Sequence, residues 1–546
     1  MFTCTKGEQF WVDGEVVFPP GDEDLQADGT YRSMFGPGAS HSGVILADTD
    51  SNFRLALRRL TCKRELDTPG YHWYLRYAQI SFLRHHQRFI DHLAELYKPV
   101  LMQFTNSVDE AELHHADPHN KRELRIRAYD EQIEKGVAYD EQDPWMQGNV
   151  TAKAKRDEYM KPNKYGRCIF DFKTPASLVG FRLCNFVKQA QLDSIVHING
   201  GTIEFCKSPD PTQLARIFRT LHDPPGRFYF IYFSDDSCLA VRKPTCVEWY
   251  NLDIKSCDSS HTGALFQAMR NAMPPHCHNA FDLLIKQCST KIKVTSRGNR
   301  EHYVKLKPFE PLLMSGTTLT GAINGFANTL IAYSISLLDD ITGPGMVEAA
   351  ARVGYVLTGC DKPLTCFEEV QFLKHSPVLD TDGQWQPMLN LGVLIRASGS
   401  CHGDLPGRGE IEPRARLFQA QLLHGAYPYT ACKVLDTMRL ATRVATPLIT
   451  SIPSVLQHKV TPEALHYPPY RALDSSVYRR YNLSPSHISD LENVYAPMEF
   501  GQWYHGPSVS SILSLDYGLT TVSGEDHAWL GQARLLHDGL FSNPGV

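Results

Sequence analysis

Nowhere in the chain do two cysteines stand at CxxC spacing, which removes the commonest redox and zinc-binding signature. The 14 cysteines are scattered. Cys168, Cys206, Cys238 and Cys257 sit in apolar or motif-like surroundings, which predicts reduced, mostly buried thiols of a cytosolic protein rather than a disulfide framework. His276, Cys277 and His278 are adjacent, but neighbours on one short loop rarely complete a tetrahedral shell, so no zinc site is expected there. Long hydrophobic runs are also missing. Stretches such as Phe228–Phe233 fall far below the ~20 residues of a membrane-spanning helix. The opening residues, Met1 to Gln9, show no basic start followed by an apolar stretch, so no secretory signal is expected. No internal repeat or low-complexity tract stands out. Neither sign of charge dominates, and a net charge of -5 excludes a surface uniformly coated for nucleic acid.

What is present is an ordinary globular composition, 42% apolar and 21% charged, in a chain of 546 residues that can bury one large core or several. Charge is uneven along it. Residues 151–173 carry Lys153, Lys155, Arg156, Lys161, Lys164, Arg167 and Lys173 against Asp157, Glu158 and Asp171. Residues 291–307 carry Lys291, Lys293, Arg297, Arg300, Lys305 and Lys307 against Glu301 alone. Taken singly, each stretch reads as a solvated face. Together they flank an acidic centre, as the walls of a channel for a phosphate backbone would.

Apolar periodicity predicts helices over 71–100, around 121–135, over 175–195 after Pro175, over 211–221, and at 413–424 and 429–444. Residues 1–50, rich in Gly, Pro and acids, read as a loop-rich entry. The chain divides into a mixed N-terminal half, an acidic α+β centre and a largely helical C-terminal region.

The centre carries the chemistry. Apolar residues on both sides of Ser234-Asp235-Asp236 predict a β-hairpin with an acidic tip. Asp253 closes the next strand, begun at Val247, and Asp258 lies in the turn beyond it. Three carboxylates from adjacent strand ends are what a two-metal phosphoryl-transfer site needs. Ser315 and Gly316 form a loop that opens a long helix, expected to stop at Gly343-Pro344-Gly345. Thr320 and Asn324 share one face of that helix. Gly354, Thr358, Asp361 and Lys362 read as helix, loop and a short strand turn, followed by Phe372, Leu373 and Lys374. Lys164 and Arg167 read as a basic strand that can grip a triphosphate.

As a set, these segments resemble viral RNA-dependent RNA polymerases. In that family's lettered motifs, Lys164, Arg167 and Ile169 resemble motif F, Ser234-Asp235-Asp236 motif C (usually Gly-Asp-Asp), and Asp253 with Asp258 motif A. Ser315, Gly316, Thr320 and Asn324 match the spacing of motif B. Gly354 to Lys362 resembles motif D, and Phe372 to Lys374 motif E. Motif C here precedes motif A. The only acidic pair between motifs B and D, Asp339-Asp340, sits at a helix end rather than on a hairpin. The permuted order is similar to that of permutotetraviruses and birnaviruses. Birnavirus polymerases are longer and carry Asn for the second motif C acid, so the chain looks more like the permutotetravirus group. The resemblance spans roughly 150–376.

It implies an α+β right-hand fold: fingers at 1–227 and 259–311, palm at 228–258 and 312–376, thumb at 377–546. It implies nucleotidyl transfer to an RNA 3′-hydroxyl with two Mg²⁺ (or Mn²⁺) ions. Their ligands would be Asp235, Asp253, Asp236 and the carbonyl of Ile254. Asp258 and Asn324, positioned by Ser315, Gly316 and Thr320, would sense the ribose. Arg167 and Lys164 would neutralise the triphosphate, and Lys362 would protonate the leaving pyrophosphate. Lys374, Lys291, Lys293, Arg297 and Lys305 would contact RNA. The partners implied are template and nascent RNA, NTPs and viral replication proteins in host cytoplasm, with no transmembrane segment. Two alternatives stand beside this: a reverse transcriptase, and a non-catalytic RNA-binding replication protein.

Overall fold

The structure is a computed structural model that describes residues 69–105, 167–171, 174–289, 310–398, 408–426, 428–445, 470–495 and 507–517. It also describes the short strands Phe10–Val12, Thr30–Arg32, Val44–Leu46, Val150–Ala154, Ile292–Ser296, Tyr303–Pro308 and Arg534–Leu535. Lys164, Lys291, Arg297 and the helix expected around 121–135 lie outside the described residues.

The architecture is mixed α+β. Its centre is a six-stranded sheet reached through helix α1 (Thr174–Asp193). In chain order the sheet comprises β1 (Val196–Ile198), β2 (Gly201–Phe205), then helix α2 (Pro211–His222). It continues with β3 (Phe228–Phe233), β4 (Asp236–Arg242) and β5 (Val247–Lys255). After a long excursion containing α3 (Thr320–Ser336) and α4 (Gly343–Arg352), the chain returns as β6 (Val356–Thr358). The strands lie side by side in the order in which they occur in sequence. Every pair is antiparallel except β2–β3, which is parallel and bridged by α2.

The β3 sequence is six apolar residues without alternation because both faces of the strand are covered. Phe228, Phe230 and Tyr232, with Leu239, Val241, Tyr250, Leu252 and Ile254, join one core, which is completed by α3 and by the helices Pro69–His85 and Gln87–Leu101. Tyr229 and Ile231, with Cys238 and Ala240, join a second core with α2 and much of the chain from Phe367 to Leu513. Helix α2 is set by its N-terminus: Asp210 caps Gln213 N–H, the Gln213 side chain returns the bond, and Pro211 opens the first turn. The hydrophobic stripe Leu214, Ile217, Phe218 and Leu221 then seals the second face.

Three element readings need correction. The region from 71 to 100 is two helices that break at His86. Gly343-Pro344-Gly345 does not stop α3, which ends at Ser336. It begins α4, where Thr342 Oγ1 accepts from Gly345 N–H at 3.1 Å and Pro344 occupies the first turn. Val356–Thr358 is an edge strand of the sheet rather than part of a helix.

A second sheet was not foreseen as a sheet, although its strand Cys168–Asp171 overlaps the basic strand read at Arg167 and Ile169. It has five strands, in the order Phe10–Val12, Tyr303–Pro308, Ile292–Ser296, Val150–Ala154 and Cys168–Asp171. Both basic stretches therefore contribute strands to one sheet, and positions 293 and 305 are cross-strand partners in it. C-terminal to the central sheet, the hairpin His375–Leu379 and Trp385–Leu389 leads into helices that include Leu391–Ser398, Ile411–His424, Lys433–Ala441 and Asp474–Tyr481. No helix among the described residues is long and apolar enough to cross a membrane.

Candidate active site

The β3–β4 hairpin turns through two residues, Ser234 and Asp235, with Phe233 and Asp236 paired across its mouth. Two-residue hairpins need a positive φ at the first central position, which is why glycine is favoured there. Ser234 meets the requirement at φ 54°. The Asn328 side chain, from α3, donates to the Ser234 carbonyl and holds the turn.

Strand β5 lies against β4 in a register that puts Asp253 directly opposite Asp236. Opposed residues of an antiparallel pair project to the same face, so the two carboxylates are neighbours. Asp236 Oδ2 accepts from the Leu373 backbone N–H at 3.0 Å. Burial pushes the Asp236 carboxyl up to about 7. The Leu373 bond and the Lys374 ammonium pull it down, and repulsion from Asp235 and Asp253 adds to the rise. Asp253 is also raised, by burial and then by Asp235, against the opposing pull of the Ile254 N–H and the Arg167 guanidinium. Arg167, just before the strand Cys168–Asp171 of the second sheet, is therefore within electrostatic reach of the acids.

Asp258 is reached through a sharp corner at Ser256, whose φ is 52°. Both of its oxygens are occupied. Asn324 Nδ2 donates to Oδ1 at 2.9 Å, and the Ser315 hydroxyl donates to Oδ2. The Ser315 loop is itself fixed to the second sheet, because Phe170 N–H donates to Ser315 O at 3.0 Å. Gly316 follows at φ +108°, where an added Cβ would stand 2.3 Å from the Phe170 carbonyl oxygen. Thr320 does not touch the pair; its hydroxyl shares a 3.1 Å bond with Thr317.

Thr358 Oγ1 donates to Asp253 O at 3.1 Å, and Lys362 is exposed on the loop beyond β6. Ile254 turns its side chain into the first core. Lys374 directs its ammonium to Asp516 O at 3.0 Å and over the Tyr517 ring, and burial lowers its pKa. Lys293 and Lys305 occupy paired strand positions of the five-stranded sheet. His276 and Cys277 bond the Leu101 carbonyl. Among the described residues no group of three or more His, Cys, Asp or Glu side chains is already gathered into a metal site. The donor set at the turn nonetheless suits a divalent cation: hard carboxylate oxygens, two of them on acids pushed up by burial and mutual repulsion.

Several residues that hold this arrangement escaped sequence reasoning. Asn328 stands one turn beyond Asn324, so helical spacing could have found it. Asn251, two residues before Asp253, accepts from Gln371 N–H at 2.9 Å and donates to Glu369 O at 3.0 Å, tying β5 to the segment that delivers Leu373. His261 and Tyr355 form a buried chain behind Asn324, at 2.7 and 2.8 Å. Single residues so far apart in sequence left no pattern to detect. No family model matches the chain, and no curated protein matches it.

Proposed function

We propose that the chain is an RNA-dependent RNA polymerase of right-hand architecture with a permuted palm. One observation carries the reading. An acidic turn and a facing acid near the end of β5 lie in one sheet, while Asp258, a few residues past that acid, closes a polar cluster with Ser315 and Asn324 from a distant loop and the helix it opens. The acids would hold metal, and the cluster would meet a ribose.

Asp235 and Asp253 would hold two Mg²⁺ (or Mn²⁺) ions, with Asp236 and the Ile254 carbonyl as further oxygens. When bound, such ions stabilise charge on the attacking and leaving oxygens of an in-line displacement. Asp258 accepts from a ribose 2′-hydroxyl, the group that separates RNA from DNA precursors. A site that hydrogen-bonds this hydroxyl gains an interaction a deoxynucleotide cannot make, which favours the ribonucleotide. Arg167, with Lys164, neutralises the triphosphate, and Lys362 supplies a proton to the departing pyrophosphate. The five-stranded sheet, with Lys293 and Lys305 in register, offers charge to template and nascent RNA. Residues 377–546 act as thumb and 1–227 with 259–311 as fingers. Viral replication proteins in host cytoplasm are the proposed partners.

The test is template-directed extension of a primed RNA with Mg²⁺ or Mn²⁺. The expected outcome is incorporation of rNTPs by the wild type, and a loss of at least about 10²-fold in Asp253→Asn and Asp235→Asn, comparable to removing a principal catalytic group. A preference for dNTPs would move the reading to a reverse transcriptase. A wild type inert on every template would favour a non-catalytic RNA-binding protein.

A further inference from the structure

The ribose cluster does not end at Asn324. Behind it lies a chain of buried side chains: Asn324 Oδ1 is 2.7 Å from His261 Nε2, and His261 Nδ1 is 2.8 Å from the Tyr355 hydroxyl. Asn324, His261 and Tyr355 are 2%, 1% and 0% exposed, so water offers these groups no substitute partners.

The proton positions follow from chemistry alone. An ionised carboxylate only accepts, so the Asn324 group that faces Asp258 must be its NH₂. The Asn324 carbonyl oxygen then faces His261, whose Nε2 must carry the hydrogen. Nδ1 is left as an acceptor, and the Tyr355 O–H donates to it. Every bond in the chain points the same way: Tyr355 to His261, His261 to Asn324, Asn324 to Asp258. Reversing the Asn324 amide would set its oxygen against the Asp258 carboxylate and its NH₂ against an N–H.

The segments on either side of the chain are themselves clamped. Gln79, on the helix Pro69–His85 and 0% exposed, accepts from Thr262 N–H at 2.8 Å and from the Thr262 hydroxyl at 2.7 Å. Its amide donates to Val353 O at 2.9 Å. One residue thus grips the neighbours of both His261 and Tyr355.

We infer that His261, oriented by Tyr355, is a specificity-determining positioning residue. It locks the Asn324 amide with its NH₂ toward Asp258, and so fixes the polar pair that discriminates a ribonucleotide from a deoxyribonucleotide. This rests on the polymerase reading above and names the part of it that chooses the sugar. His261 itself touches no substrate.

The experiment compares kcat/KM for ATP and dATP with the full-length chain on a primed RNA template. In His261→Leu the ATP to dATP ratio is expected to fall about tenfold, the effect of one buried hydrogen bond, mainly through ATP. A merely structural role would lower both nucleotides alike and leave the ratio intact. His261→Gln, which offers a donor and an acceptor at similar reach, is expected to recover most of the ratio. If His261→Leu fails to fold by thermal melting, Tyr355→Phe removes a single hydroxyl and is expected to lower the ratio about threefold. An unchanged ratio in the folded variant, beside a collapsed ratio in Asp258→Ala, overturns the inference and leaves the polymerase reading standing. A wild type that incorporates neither nucleotide overturns both.

Discussion

Asp236 pairs with Asp253 across two strands, and its carboxyl is pushed up to about 7, first by burial. An unfolded Asp titrates near 3.9, so between about pH 4 and 7 the folded protein holds the extra proton. Stability therefore falls as pH rises through that window and levels off above it. The upper limit on this loss is on the order of 4 kcal/mol, and the raised Asp253 adds in the same direction. Asp236→Asn, with no charge to create, should flatten the dependence. In metal-free buffer its melting temperature should rise above that of the wild type as pH goes from 5 to 8, the gap widening up to about pH 7. A gap that stays constant with pH would mean that Asp236 is not the titrating group. The same residues show how far sequence reaches. Asp235, Asp236 and Asp253 stood out because acids interrupted apolar strands. The carboxyl perturbation did not, since it depends on Leu373 N–H and Lys374, which arrive from more than a hundred residues downstream.

At the scale of elements, hairpin β3–β4 and strand β5 were legible because both faces of β3 are buried and its sequence is unbroken apolar. The start of α4 was misread because Gly and Pro serve both ends of helices. The deciding signal was Thr342, a capping residue just ahead of them. The five-stranded sheet was illegible because its strands come from distant segments, including one parallel pairing. That sheet matters to the site through the Ser315–Gly316 loop. Gly316→Ala places a Cβ at φ +108° against the Phe170 carbonyl oxygen. The expected cost is at least about 1–3 kcal/mol, seen as a lowered melting temperature. On the polymerase reading proposed above, the Ser315 hydroxyl should then lose its aim at Asp258, and KM for ATP should rise more than KM for dATP. A second strained turn lies on the other side of the acids: Leu373 and Lys374 both take positive φ, at 51° and 62°, between Phe372 and His375, which exchange backbone bonds at 2.9 Å. Neither residue suits that conformation, and the turn is the one that offers its N–H to Asp236.

Across the whole molecule, that turn is tied to the far end of the chain. Asp516, on helix Pro507–Tyr517, accepts from Arg480 at 2.7 Å, Gly392 N–H at 2.8 Å and the Tyr481 hydroxyl at 2.9 Å. Its backbone oxygen accepts from Lys374 at 3.0 Å. The Arg480 and Asp516 side chains are both 0% exposed. A buried pair is weak evidence of net stability, but removing one partner strands the other charge. Arg480→Met should therefore cost about 3–5 kcal/mol and raise hydrogen exchange across 507–517. If exchange there is unchanged, the C-terminal helix is held by its apolar side chains alone. None of this was legible, since one arginine and one aspartate in a helical region carry no motif.

The central sheet lies in chain order, and this has a consequence for assembly. Strands β3, β4 and β5 are a meander of consecutive antiparallel neighbours, closed by short connections, and contacts of low sequence separation form fast. During synthesis the three acids can meet as soon as residue 255 has left the ribosome. Ser315 and Asn324, which satisfy Asp258, follow some sixty residues later, and Leu373 later still. In this chain order the acids meet with only Arg167 and the Ile254 N–H already made to offset them, and the Leu373 N–H and Lys374 ammonium that relieve Asp236 arrive afterward. The nascent chain must carry an incomplete acidic tip through that interval, and a folding rate that rises with divalent cation would be its kinetic trace.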